Sequence, residues 1–139
     1  MEKITVHTDG GARGNPGPAG IGVVVSNEKG DVLKEYSKFL GNGTNNFAEY
    51  QAVCTALDML KKHFGKKAKE MEFEIKLDSE LVQKQLSGEY QIKEPGLVPL
   101  FIEIHNLRVS TFPHITFTHV RREQNKRADE LANEAMDGK

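Results

Sequence analysis

The chain has 139 residues, 37% hydrophobic and 28% charged, with a formal net charge of −1 and a pI of about 6.5. That predicts one soluble globular domain over residues 1–139 with a proper core, and it argues against a broad basic surface for gripping nucleic acid. A single cysteine, Cys54, excludes an intrachain disulfide and a thiol metal cluster; no run approaches about 18 apolar residues, and no signal-peptide pattern opens the chain, so no membrane contact and a cytoplasmic location are expected.

The first strand is Lys3 to Asp9, with Ile4, Val6 and Thr8 on one face and Thr5, His7 and Asp9 on the other. The carboxylate of Asp9 comes where that strand gives out. Four glycines and two prolines follow between Gly10 and Pro18, so the backbone turns sharply and can approach a ligand closely. A strand-ending carboxylate before a Gly-rich turn suits a metal or a phosphate; an ordinary hairpin is the alternative. His7 is read as a packed or surface residue, although it shares a face with Asp9.

Gly20 to Ser26 is nearly continuous in apolar character, as in a buried strand. A turn around Gly30 leads to a third strand, Val32 to about Leu40, whose Lys34, Glu35 and Lys38 suit an edge. The segment Gly41 to Asn46 ends this meander. A helix is predicted from about Phe47 to Phe64, with Val53, Leu57, Leu60 and Phe64 at helical spacing and Thr44 or Asn45 as N-cap. Cys54 falls on its packing side as a small core residue. The helix ends in Lys61, Lys62 and His63, and Lys66, Lys67 and Lys69 continue the charge. This run reads as a solvated helix end, with a substrate patch as the alternative.

Met71 to Asp78 alternates strictly and again closes on an aspartate, after which a short helix (Ser79 to Leu86) begins. A connector with Pro95 leads to a helix from Leu97 to Arg108, expected to bury Leu97, Leu100, Phe101, Ile104 and Leu107. The last strand is His114 to Val120. The last helix, about Asn125 to Met136, packs through Ala128, Leu131, Ala132 and Ala135 and carries Asp129 in its first turn. No repeat, low-complexity stretch or linker interrupts the order βββ-α-β-α-α-β-α. Strands separated by helices are expected to be parallel. The predicted fold is therefore α/β: a five-stranded mixed sheet, antiparallel over strands 1-2-3 and parallel over 1-4-5, with helices on its faces.

Asp9 and Asp78 end neighbouring parallel strands and emerge at one edge of the sheet. Glu49 and Asp129 each lie early in a helix. For Asp129 alone, complementing the helix dipole is a sufficient explanation. Four converging acids would repel one another unless cations neutralise them. Two divalent ions are the usual solution for displacement at phosphorus, and oxygen ligands favour Mg²⁺ or Mn²⁺ over zinc.

Taken jointly, Thr8-Asp9-Gly10-Gly11, Gly14-Asn15-Pro16-Gly17, Thr44 to Glu49, Asp78-Ser79, and Asn125 with Ala128 to Ala132 resemble the ribonuclease H type 1 family over essentially the whole chain. The resemblance implies the ribonuclease H-like fold. It also implies a metal-dependent endonuclease that hydrolyses the RNA strand of an RNA–DNA hybrid. Asp9, Glu49, Asp78 and Asp129 match the four carboxylates that bind two Mg²⁺ ions, with Mn²⁺ as a substitute. Gly10, Gly11, Ala12, Arg13, Asn15, Thr44, Asn45 and Asn46 match positions that contact the hybrid backbone, including the 2′-hydroxyls that mark RNA. Neither a membrane nor an obligate protein partner is implied, and a monomer is expected.

Two departures stand out. Many members carry a catalytic histidine on a flexible loop before the last helix; here the connection Val120 to Gln124 is short, and His119, although spaced before Asp129 as such a histidine or a phosphate contact would be, reads more as the end of a strand. Arg121 or Arg122 is the alternative contact for the scissile phosphate or for product release. The basic helical protrusion of many members is also missing, because the segment from Ser87 to Leu97 is short and mixed in charge, so weaker substrate affinity or Mn²⁺ dependence is expected. The rival readings are a non-catalytic or weakly active nucleic-acid-binding module of the same fold, a nuclease for double-stranded RNA, and a small phosphate-binding domain. The last leaves Glu49 and Asp129 unexplained.

Overall fold

The computed structural model describes residues 1–138. Five strands, β1 (Lys3–Ala12), β2 (Gly17–Ser26), β3 (Val32–Gly43), β4 (Glu72–Leu77) and β5 (Ile115–His119), form one sheet in the order β3-β2-β1-β4-β5. The β1–β2 and β2–β3 pairs are antiparallel, and the β1–β4 and β4–β5 pairs are parallel. The mixed sheet expected from the alternation of strands and helices is the one observed.

Helices α1 (Asn45–Phe64), α2 (Glu80–Leu86) and α3 (Val98–Ser110) pack on one face, where Val6, Val23, Phe73 and Ile75 of the sheet meet Tyr50, Val53, Leu57 and Leu60 of α1, Leu86 of α2 and Ile104 of α3. Helix α4 (Lys126–Met136) lies against β1, β2 and β3 on the other face; Ala128 and Leu131 meet Val24 there, and Ala132 and Ala135 are also buried. In α3, Leu97 just before the helix, Ile104 and Leu107 are buried, whereas Leu100 and Phe101 are only partly covered.

Three expectations about the strands are corrected. β1 does not stop at Asp9. It runs on through Gly10, Gly11 and Ala12, which pair with Ile21, Gly20 and Ala19, and the true turn shrinks to residues 13–16, closed by Arg13 N–H donating to Pro18 O at 2.8 Å. β2 accordingly begins at Gly17 rather than Gly20, and β3 continues to Gly43 because β2 pairs with it that far. The lysine-rich stretch after α1 is a short 3₁₀ helix, Gly65–Glu70, anchored by buried Ala68, and two further single turns, Pro95–Leu97 and Arg122–Gln124, lie in connectors.

The glycines of β1 and β2 explain how helices reach this part of the sheet. A Cβ on Gly10 would collide with the Ala48 carbonyl of α1, and one on Gly22 with the Ala128 carbonyl of α4. Gly22 is the pairing partner of Asp9. Backbone-to-backbone approach on both faces therefore brings the first turns of α1 and α4 to the same point of the sheet as Asp9.

Candidate active site

Asp9 projects from β1 with only 6% of its surface exposed. Asp78 follows the last residue of β4 and precedes Ser79, whose hydroxyl caps α2 by accepting from Val82 N–H at 3.2 Å. Glu49 sits one turn into α1, which Thr44 caps by accepting from Phe47 N–H at 3.2 Å. Because Gly10 lets that turn press against β1, one carboxylate oxygen each of Asp9, Glu49 and Asp78 lies within 4.8 Å of the others. Asp129, from the first turn of α4, joins them along a cavity of about 400 Å³ that all four carboxylates line.

Burial pushes the Asp9 carboxyl up to about 8, reinforced by the Asp78 charge and by a hydrogen bond with Asp129; the Gly10 backbone N–H opposes it. Burial also raises Glu49 well above the usual carboxylate range, helped by Asp9 and Asp78 and opposed by Arg122. Glu49 Oε2 is buried without a hydrogen-bond partner, in a place where solvent cannot compensate it. An orphaned carboxylate oxygen among two further carboxylates is an all-oxygen donor set for a hard divalent cation. The residues therefore fit such an ion, and binding it would displace the protons that burial holds.

The other predicted residues take different places around this cavity. Gly10, Gly11, Ala12, Arg13, Asn45 and Arg122 line the same cavity. Asn15 and Asn45 tie the β1–β2 turn to the start of α1: Asn45 Oδ1 accepts from Ala12 N–H at 2.9 Å, and Asn15 Oδ1 accepts from Asn45 N–H at 3.0 Å. Asn46 is turned away and donates to Glu94 at 2.9 Å. His119 ends β5, exposed and in register with Leu77, and Arg121 faces Glu123 at 4.0 Å; neither lines the cavity. Arg122 approaches Asp129 at 3.6 Å.

Sequence reasoning left three residues of this region without a role. Asn133 lines the cavity and donates to Asp129 Oδ2 at 3.3 Å; its position four residues after Asp129 on one helix was the available signal. Met136 lines the cavity one turn further on, with nothing in its type to mark it. Asn125, 1% exposed, donates from Nδ2 to Thr8 O at 2.8 Å, tying the start of α4 to the residue before Asp9. By contrast, Cys54 is buried with its thiol pushed up by burial, which leaves it a core residue and not a nucleophile. His7 does not reach the cavity, and burial lowers its pKa.

The profile of the reverse transcriptase-like family matches residues 7–135. The bifunctional protein Rv2228c of Mycobacterium tuberculosis is 40% identical over 136 residues, which is 97% of this chain and 36% of that protein. Ribonuclease HI of Halobacterium salinarum is 38% identical over 97% of this chain and 65% of its own length. This chain thus spans about a third of the first relative and just under two thirds of the second. Among solved structures, LC11-RNase H1, isolated from compost by a metagenomic approach, is 51% identical with a TM-score of 0.94, covering 99% of this chain and 98% of that one. A second structure of the same protein holds an RNA/DNA hybrid and is matched at 50% identity and a TM-score of 0.93, over 97% of both chains.

Proposed function

Because this chain belongs to the ribonuclease H type 1 family, we propose that it is an endonuclease that hydrolyses the RNA strand of RNA–DNA hybrids, acting as one catalytic domain over residues 1–139. The observation that carries the reading is the cluster of Asp9, Glu49 and Asp78 oxygens within 4.8 Å, with Glu49 Oε2 buried and unpartnered. Asp9, Glu49, Asp78 and Asp129 would hold two divalent ions. Bound there, Mg²⁺ or Mn²⁺ supplies an activated water and neutralises the charge that develops on the leaving 3′-oxygen.

The chain's own residues provide the rest. Asn15 and Asn45 commit their side-chain oxygens to backbone N–H groups. Their Nδ2 groups make no hydrogen bond to protein among the described residues and remain donors for phosphate and sugar oxygens. Backbone from Gly10 to Ala12 forms the adjacent wall, where the RNA strand can approach without a side chain in the way. Arg122 is the cation of the cavity mouth best placed to meet the scissile phosphate or the departing product. Asn133 holds one oxygen of Asp129 while Arg122 faces the other, which orients that ligand. Contacts of this kind read backbone and shape, so little base preference follows. The reading includes a monomer in the cytoplasm with no obligate protein partner; among the described residues no helix is long and apolar enough to cross a membrane.

The test is cleavage of an end-labelled hybrid with Mg²⁺ and with Mn²⁺, beside double-stranded RNA and duplex DNA. The expected outcome is divalent-dependent cutting of the RNA strand of the hybrid alone, leaving 3′-hydroxyl ends. Cutting of double-stranded RNA at the same rate, or hybrid binding without turnover in either metal, would overturn the assignment.

A further inference from the structure

The lysines at the far end of α1 have no part in the carboxylate cavity, and they do not lie on a featureless surface. Lys34, Tyr36 and Lys38 pair across β2 with Val25, Val23 and Ile21, so all three project from the α1 face of β3. Helix α1 packs mainly on β1 and β2 and covers little of this edge strand. A groove of about 550 Å³ is left, with Lys34, Tyr36 and Lys38 on one wall and Met59, Lys62 and His63 of α1 on the other; Asp58 is the single carboxylate lining it. Among the described residues, Lys34, Lys38 and Lys62 form no ion pair with a carboxylate within 4.0 Å. Tyr36 is 37% exposed. In a chain of net charge −1, three unpaired lysines converging on one groove are a local departure from the whole.

We infer that this groove is a second nucleic-acid site, one that holds single-stranded nucleic acid outside the carboxylate cavity. Charge complementarity selects a polyanion. The alternation Lys-x-Tyr-x-Lys along β3 selects among polyanions. Two ammonium groups about 13 Å apart along an extended strand flank an aromatic ring, which is the combination of backbone neutralisation and base stacking that single strands use. Acidic polypeptides satisfy the lysines but have no use for the ring. A base-paired duplex has its bases stacked on each other and cannot offer one to Tyr36. The groove lies some 13 residues along α1 from Glu49, or about 20 Å, a distance that a few unpaired nucleotides cover. Hybrid bound at the carboxylates could therefore leave a single-stranded extension in the groove.

The probe is a fluorescein-labelled 12-mer of deoxythymidine, which contains no RNA to cleave, titrated into the full chain by anisotropy in EDTA. This makes the outcome independent of the proposed nuclease activity. Wild type should bind with a salt dependence corresponding to about two released counterions, from three lysine contacts at roughly 0.7 each. Lys34→Ala/Lys38→Ala/Lys62→Ala should weaken binding at least about 10-fold and flatten that salt slope. Tyr36→Ala should weaken it about 5- to 10-fold, while Tyr36→Phe, which keeps the ring, should bind as wild type. Circular dichroism verifies that each variant is folded. Equal binding by wild type and the triple lysine variant overturns the site. So does indifference to Tyr36→Ala together with displacement of the oligonucleotide by poly-glutamate at equal charge concentration, which would assign the groove to an acidic polypeptide.

Discussion

The two ends of α1 carry opposite charge in opposite surroundings. Near its start, Glu49 is 9% exposed and shares a tight space with Asp9 and Asp78. Near its end, Lys62 stands across an open groove from Lys34 and Lys38. Burial makes the first set costly and specific: it raises the carboxyls of Asp9 and Glu49 above the usual carboxylate range, which favours their protonated forms unless a cation takes the place of the protons. Exposure makes the second set inexpensive and screened, because water solvates each ammonium group whether or not a ligand arrives. One helix thus presents a rigid, ion-demanding site and a loose, salt-sensitive one, and the difference lies in how closely backbone approaches backbone. At Gly10 it approaches as near as atoms allow; beside Lys34, Tyr36 and Lys38 of β3 it stands off across a groove.

The contrast breaks most completely at the carboxylates. Asp78→Asn is expected to reduce divalent-dependent hybrid cleavage to background. In metal-free buffer the same variant should melt no lower than wild type, because it removes repulsion from a crowded acidic site. Loss of activity with a lowered melting temperature would mean that Asp78 serves the fold rather than the ions.

Gly22→Ala tests the close packing itself. The added methyl group meets the Ala128 carbonyl, so α4 must shift, at a cost of at least about 2 kcal/mol in stability, read from the urea midpoint at constant slope. Since α4 carries Asp129, activity should fall as well. A variant as stable and active as wild type would show that the helix has room to move.

Acidity perturbs the same carboxylates by degrees rather than all at once. The folded-state value of Asp9 is raised from 3.8 to about 8, so over that range the folded protein retains a proton that the unfolded chain releases. The stability contributed by this group is complete below pH 4 and is lost as pH rises toward 8. In EDTA the melting temperature should decline over this window, and saturating Mg²⁺ or Asp9→Asn should flatten the decline. A profile in EDTA that Asp9→Asn leaves unchanged would remove Asp9 as its source.

Much of the architecture is legible in local pattern. The strict alternation of Met71 to Asp78, the apolar stripe of α4 and the cap at Thr44 each depend on neighbours a few residues away, and each predicts its element to within a residue or two. Asp78 directly follows a strand and Asp129 stands in a first helical turn, which are positions that a linear reading can recognise. The boundary after Asp9 is different. Four glycines and two prolines look like a turn, and only pairing with Ala19, Gly20 and Ile21 carries the strand three residues further. A linear reading makes the glycines after Asp9 room for a ligand; Gly10, and Gly22 within β2, also make room for helices, a fact stored in partners 38 and 106 residues distant in the chain.

Composition, period and residue type were therefore enough for the order of elements and the mixed sheet, and they mark the acids as candidates, because those readings rest on short-range periodicity and on chemistry that each side chain carries with it. Tertiary structure alone decided that Glu49 reaches Asp9 and that Lys34 and Lys38 face Lys62 across a groove. Each of these depends on the distance between elements far apart in sequence, and that distance is set by side-chain volume at the contact, which no local pattern records.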